Sequence, residues 1–237
     1  MSRKRTRSSK TSTENPVVIQ DEEARERFDS IFRNQPMMLE KAFNLESNYK
    51  MVMPLSIRKT INALNWEQFY DAHSMSNKDL VREFYANLTT LNANEVLVHK
   101  KKVPLTSKPV NDLFNLPNVQ EDEYSAMMTN INWDFIQQVF NMVTNLGSQW
   151  IIRKYGIHSC RREYLNPVAK VWFYFIRYSF MLISHSSTIL IERMILLYAI
   201  MIERSINFGR IILKEIQDYA RKKTGNAYFP SLITLLY

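Results

Sequence analysis

The sequence predicts a mainly α-helical fold: a multi-helix globular domain with one small β-hairpin, behind a disordered basic N-terminal tail. Three observations lead there. Apolar residues recur at helical spacing through most of the chain. Only four glycines occur among 237 residues, well under the roughly 7% of an average protein, so tight turns and phosphate-cradling loops are scarce. One passage alone, "NEVLVHKKKVPLT" at 94–106, has the two-residue alternation of strands, with its lysines at the turn.

The elements follow in chain order. Residues 1–20 are polar and aperiodic and read as a disordered tail. "DEEARERFDSIFRN" (21–34) sets Ala24, Phe28 and Ile31 or Phe32 on one helical face. Residues 35–54 hold two prolines and four methionines without a period and read as a linker. The compact region is expected over 55–237. Its first helix carries Ile57, Ile61, Leu64 and Phe69. The next begins with Ser76 and Asp79 at capping-box spacing and continues through Leu80, Val81, Phe84, Tyr85 and Leu88. After the hairpin, Ser107 is expected to cap a short helix with Pro109 in its first turn and Pro117 beyond its end. "NWDFIQQVFNMVTNLG" (132–147) places Phe135, Val139 and Met142 on one side, with Gly147 near the close. The C-terminal third reads as helices from Asn166 to about Leu182, Thr188 to about Arg204, and Ile206 to about Lys223. A last helix starts at Pro230 and is expected to pack on the Phe208, Ile212, Ile216 and Tyr219 face of its predecessor.

Phe180 to Glu203 is the most apolar stretch. A spanning helix needs about 20 mostly apolar residues. Fourteen uncharged residues separate Arg177 from Glu192, and nine separate Arg193 from Glu203. The stretch therefore reads as two core helices joined by a polar turn, with Ser and Thr capping the second, and no membrane partner is expected.

Charge and chemistry set the function classes. The net charge is +8, which favours polyanionic partners and says nothing about fold. The single cysteine, Cys160, excludes an intrachain disulfide and suits a reducing compartment. His158 and Cys160 are too few for a zinc site, and no cofactor or metal is expected. Ser184-His185-Ser186 sets a base beside hydroxyls, but no nucleophile elbow accompanies it, and a capping turn is the better reading. The acids Asp134, Glu163, Glu192, Glu203, Glu215 and Asp218 are spaced like solvent faces, with Glu192 and Arg193 placed to pair across helices. No catalytic residue is assigned. Two basic runs interleaved with aromatics are the nucleic-acid candidates: Lys100, Lys101 and Lys102, then Arg153, Lys154, Arg161 and Arg162 with Tyr155 and Tyr164. The leading cluster Arg3, Lys4, Arg5, Arg7 and Lys10 matches a nuclear address, with cytoplasmic residence as the alternative. No apolar secretory region follows it.

The phrases "VREFYANL", "VHKKKVPLTSKPVNDLFNLP", "NPVAKVWFYFIRYSFM", "ERMILLYAIMIERSINFGRIILKEI" and "YFPSLITLLY" occur in this order. Together, over Asn62 to Tyr237, they resemble the "putative plant transposon protein domain" family. The resemblance implies a plant nuclear genome and descent from a transposable element, with no catalytic residues to carry over. Members usually continue beyond the point matching Tyr237, which leaves an intact and a C-terminally truncated copy both open. The leading expectation is a domain that binds DNA or RNA through phosphates, or an element-encoded or host protein. A helical protein-interaction module without nucleic-acid binding is second and a degenerate transposase third. The oligomeric state is left open.

Overall fold

The computed structural model describes residues 17–38, 55–66, 76–90, 93–152, 158–179, 181, 187–222 and 226–237. The tail cations, most of the linker, Phe69, Arg153, Lys154 and Ser184-His185-Ser186 lie outside the described residues. The fold is mainly α, with ten α-helices among the described residues and two small antiparallel sheets.

Helix α1 (Glu22–Arg27) starts where the Asp21 side chain accepts the Ala24 N–H, and it widens into a π turn over Phe28–Phe32. It stands in the core rather than ahead of it. Ala24 and Phe32 are fully buried, and Arg27 donates to the Tyr85 carbonyl at 3.0 Å. Residues 36–38, expected in the linker, pair with Ala227 through two main-chain hydrogen bonds. Helix α2 (Leu55–Ala63) buries Ile57 and Ile61. It ends as Asn65 turns left-handed (φ 55°) and the Trp66 N–H returns to the Ile61 carbonyl. With glycine scarce, Asn115 and Glu203 close other helices in the same left-handed way.

Helix α3 (Lys78–Asn87) is capped by Asn77, whose side chain accepts from Asp79 and Leu80, one residue past the expected Ser76. The hairpin forms as predicted, β1 (Glu95–Val98) pairing with β2 (Lys101–Pro104), and it seats on α3. Helix α4 (Ser107–Leu113) includes Ser107 as a helical residue; Thr106 holds the cap position without a side-chain bond. Helix α5 (Glu123–Thr129), capped by Asp122, has too short an apolar pattern to be seen in the sequence. Helix α6 (Trp133–Val143) is rotated from expectation. It buries Ile136, Val139, Phe140 and Val143, whereas Met142 faces out.

A second sheet, absent from the sequence reading, has the order β3–β4–β5 (Ile151–Ile152, His158–Arg161, Thr188–Leu190). Helix α7 spans Pro167–Ser179. Thr188 to Leu190 is a strand and not the start of a helix. Main-chain pairing of Cys160 with Ile189 satisfies the backbone groups that Ser and Thr were expected to cap. Helix α8 (Ile191–Met201) then buries every residue from Met194 to Ile200. A helix apolar on all sides belongs inside a core, and α8 packs against α5, α6, α7 and β5. No described helix is long and apolar enough to cross a membrane.

Helix α9 (Phe208–Lys222) buries the predicted face of Phe208, Ile212, Ile216 and Tyr219. Helix α10 (Pro230–Leu236) starts at Pro230 as expected but packs mainly on α3 and α4 instead of on α9. The Tyr219 side of α9 is already covered by Phe32, Tyr85 and Tyr228. Trp66 joins α2 to α7 and α9 through ring contacts with Trp172, Phe175 and Phe208.

Helices α4 and α9 cross closely at Gly209, whose N–H donates to Asn111 Oδ1 at 2.8 Å. A Cβ there would lie 2.3 Å from the Ser107 carbonyl oxygen and 2.9 Å from Asn111 Oδ1. Backbone cannot yield as a flexible side chain does, so Gly209→Ala is expected to cost about 2–3 kcal/mol. Denaturant titration checks this; an unchanged midpoint would refute the close crossing.

Candidate nucleic-acid interface

The hairpin lysines are placed by a two-residue turn. His99 and Lys100 are both left-handed (φ 47° and 65°), the geometry that primed hairpin turns demand and that Asn-Gly usually supplies. The strain is held from below by Glu83 of α3, which is fully buried. Its carboxyl accepts the His99 N–H at 2.5 Å and the Val18 N–H at 2.9 Å. His99 Nδ1 also lies 2.5 Å from Oε2, though out of line for a hydrogen bond. One turn on, Asn87 donates to the carbonyls of Val18 and Leu97 and accepts from the Gln20 N–H. Residues 17–20, expected in the disordered tail, are thereby docked between α3 and the hairpin.

The three lysines differ in what they face. Lys100 is exposed and has no partner among the described residues. Lys101 Nζ reaches the Tyr237 main-chain oxygen and sits 4.7 Å from the centre of that ring. Lys102 pairs with Glu95 at 2.6 Å, both side chains mostly exposed. Such pairs contribute at most about 1 kcal/mol, so the pairing does not withhold Lys102 from a stronger anion.

Arg161 and Arg162 stand on the other sheet, at the end of β4 and in the 3-10 turn that follows (Arg162–Tyr164). The structure does not merge them with the hairpin lysines into one site, since the hairpin seats on α3 and the second sheet on α8. Arg161 is taken up by Glu163 at 3.1 Å. Arg162 instead lines an open cleft of about 380 Å³ with Lys170, Tyr174, Ser187 and Glu163. Its main-chain N–H donates to the Ser187 carbonyl at 2.9 Å, which ties the two walls together. No ion pair among the described residues engages Arg162 or Lys170, and Tyr174 keeps 39% of its surface exposed. Two unmatched cations beside a half-open phenol ring can hold a phosphate and a flat group next to it.

Lys170, Tyr174 and Ser187 escaped the sequence reading. Lys170 and Tyr174 are four apart on α7 and share a face, a signal hidden inside a helix that reads mostly as core. A second depression, of about 490 Å³, lies between α5 and α6. Its charges are already matched, because Glu123 accepts from Arg204 at 3.0 Å and from the Ser205 N–H at 2.9 Å. The Ser205 bond chiefly, with Arg204, holds the Glu123 carboxyl below its usual range.

The remaining chemistry is sparse. Cys160 is fully buried, and burial pushes its thiol up to about 12, which makes it a packing residue. No group of three or more His, Cys, Asp or Glu among the described residues is placed to hold a metal ion. Glu203 accepts from Thr60 and Asp218 pairs with Arg221, so these acids serve separate local contacts. Arg193 of α8 is attracted across the helices to Glu215 of α9, and to Glu192 beside it. Burial lowers the arginine and raises the Glu215 carboxyl, and their attraction opposes both shifts.

Fold and surface thus define a helical domain with separate basic elements on two small sheets. Residues 62–237 match the family described as "Putative plant retrotransposon-related domain", and the chain belongs to that family. No curated protein and no solved structure matches the chain.

The hairpin's dependence on Glu83 is testable. Glu83→Ala strands two N–H donors and releases the turn, and each buried unsatisfied donor costs about 1–3 kcal/mol. A stability loss of roughly 3 kcal/mol is expected in denaturant titration, with protease sensitivity appearing near Lys100. A loss below about 1 kcal/mol would show that the turn stands without the carboxyl.

Proposed function

We propose that this retrotransposon-related domain binds nucleic acid through its phosphates, with the Arg162–Lys170 cleft as the principal contact and Lys100 to Lys102 as a second, separate one. One observation carries the reading: two cations without ionic partners among the described residues share a cleft with an exposed aromatic ring. Arg161, at the end of the adjoining strand, pairs with Glu163 of the cleft wall, an exposed pairing that does not withhold it from a phosphate. The net charge of +8 supplies long-range attraction toward polyanions. Contacts of this kind are sequence-tolerant, since phosphates carry no base information.

Counterion release provides the test. Each phosphate neutralised adds about 0.9 to the slope of log affinity against log salt on duplex DNA. The double substitution Arg162→Gln, Lys170→Gln is expected to lower that slope by nearly 2 and to weaken binding to all sequences alike. Absence of salt-dependent binding to both DNA and RNA would overturn the reading and leave a protein-interaction module in its place.

The site of action proposed is the nucleus, supported by Arg3, Lys4, Arg5, Arg7 and Lys10 within ten residues. A fluorescent reporter fused to residues 1–20 is expected to concentrate in nuclei. A signal confined to the cytoplasm would count against it.

A further inference from the structure

The opposite end of β4 carries a feature that the phosphate cleft does not use. Trp133, the first residue of α6, is 51% exposed. Its ring lies 5.1 Å from His158 and 6.3 Å from Trp150, measured between centroids. Trp150 is fixed from behind: it stacks on Phe140 at 4.2 Å, and its Nε1–H donates to Gln137 Oε1 at 3.2 Å. His158 stands directly across the strand pair from Ile152, which is 66% exposed. The result is a small aromatic surface, rigid at its back and open at Trp133.

Ring angles show how Trp133 meets its neighbours. Trp133 meets His158 at 53° and Trp150 at 44°. Neither neighbour lies parallel on the indole, so among the described residues its flat face has no stacked partner. Exposed tryptophan surface is costly in water and gains most from a flat apolar ligand.

We infer that Trp133, backed by Trp150 and His158, is a stacking platform for an unpaired base, and that the domain therefore prefers single-stranded over duplex nucleic acid. The inference rests on the phosphate reading above and extends it. Its support is charge and continuity. Arg162 is four positions beyond His158, which places the two Cα atoms no more than about 14 Å apart. Arg161 and Arg162 therefore follow the platform closely on the same segment. The acids near this segment are Asp134, next to Trp133 in the chain, and Glu163, which pairs with Arg161, so Arg162 is the arginine left without an ion pair among the described residues. A base on Trp133 and a phosphate near Arg162 can belong to the same short strand. In a duplex, by contrast, the base faces are already stacked and closed to an indole. A purely apolar docking partner would gain nothing from the neighbouring cations.

The protein reports on itself. Of its four tryptophans, Trp66 and Trp172 are each 1% exposed, so quenching by an added ligand reads Trp133 and Trp150. Titration of the full chain with a twelve-residue oligothymidylate is expected to quench fluorescence saturably, and a duplex of equal length is expected to quench far less. Trp133→Ala should weaken single-strand binding by about tenfold, while duplex affinity and the salt slope stay as they are. Three results overturn the platform. One is single-strand affinity unchanged in Trp133→Ala with the salt slope intact, which leaves the phosphate reading standing. Another is equal quenching by strand and duplex. The third is no quenching together with a concentration-dependent dimer that Trp133→Ala abolishes, which assigns the patch to a second copy. Loss of the salt slope in the unmodified chain would be a failure of the phosphate reading itself. Should Trp133→Ala fail to fold, the quenching comparison on the unmodified chain still decides.

Discussion

Glu83 and Asn87, one turn apart on the inner face of α3, hold two other segments, residues 18–20 and the hairpin, in register with that helix. Both are buried, and between them they bond main-chain groups of Val18, Gln20, Leu97 and His99. A carboxyl and an amide buried without partners would cost several kcal/mol; here each donor and acceptor finds main chain. The constraint runs outward from there. The hairpin can adopt a turn with two left-handed non-glycine residues because Glu83 holds the first of them, and strain of that kind, of order 1–3 kcal/mol per residue, persists only where surroundings impose it. Lys100 to Lys102 are exposed as a consequence. The segment before α1 is docked by the same two side chains.

The second organising element is α8. Being apolar on all sides, it has to be enclosed, and α5, α6, α7 and β5 enclose it. Strand β5 leads directly into α8 and pairs with β4, so the position of β4 is set by the core helix. Its interior residues Ser159 and Cys160 are buried, and its two ends emerge at the surface. One end brings His158 to Trp133; the other leads through Arg161 to Arg162 in the cleft beside α7. The cleft and the aromatic platform therefore hang on one short strand fixed by burial, and the hairpin lysines stand apart from both.

Much of the fold was legible from periodicity. Long amphipathic helices such as α3 and α9 bury the faces that their spacing marks, because a stripe of Phe208, Ile212, Ile216 and Tyr219 has only one way to leave water. The hairpin was legible from two-residue alternation. Short elements were not. Strands of two to four residues in β3, β4 and β5 carry no period, and Thr188 to Leu190 looks like a helix start until Cys160 and Ile189 are seen to pair. The face of α6 was misjudged by one position, since Phe140 and Met142 are both apolar and only Trp150 packing on Phe140 settles which turns inward. Of the candidate cations, Arg162 was found by composition. Its cleft partners Lys170 and Tyr174 were not, because they ride on a helix whose other residues are core.

Helicity, the scarcity of glycine, the positive charge and the family were determined by the sequence alone, since each depends on composition, local spacing or the order of phrases. Which cations remain unmatched was decided by tertiary structure. Arg161 and Arg162 are adjacent and chemically identical, yet one pairs with Glu163 at the surface and the other opens into a cleft. The same holds for Trp133, exposed at a helix start, against Trp66 and Trp172, buried between helices. Ionic pairing and exposure are relations between groups far apart in the chain, and they exist only once packing around α3 and α8 has brought those groups together.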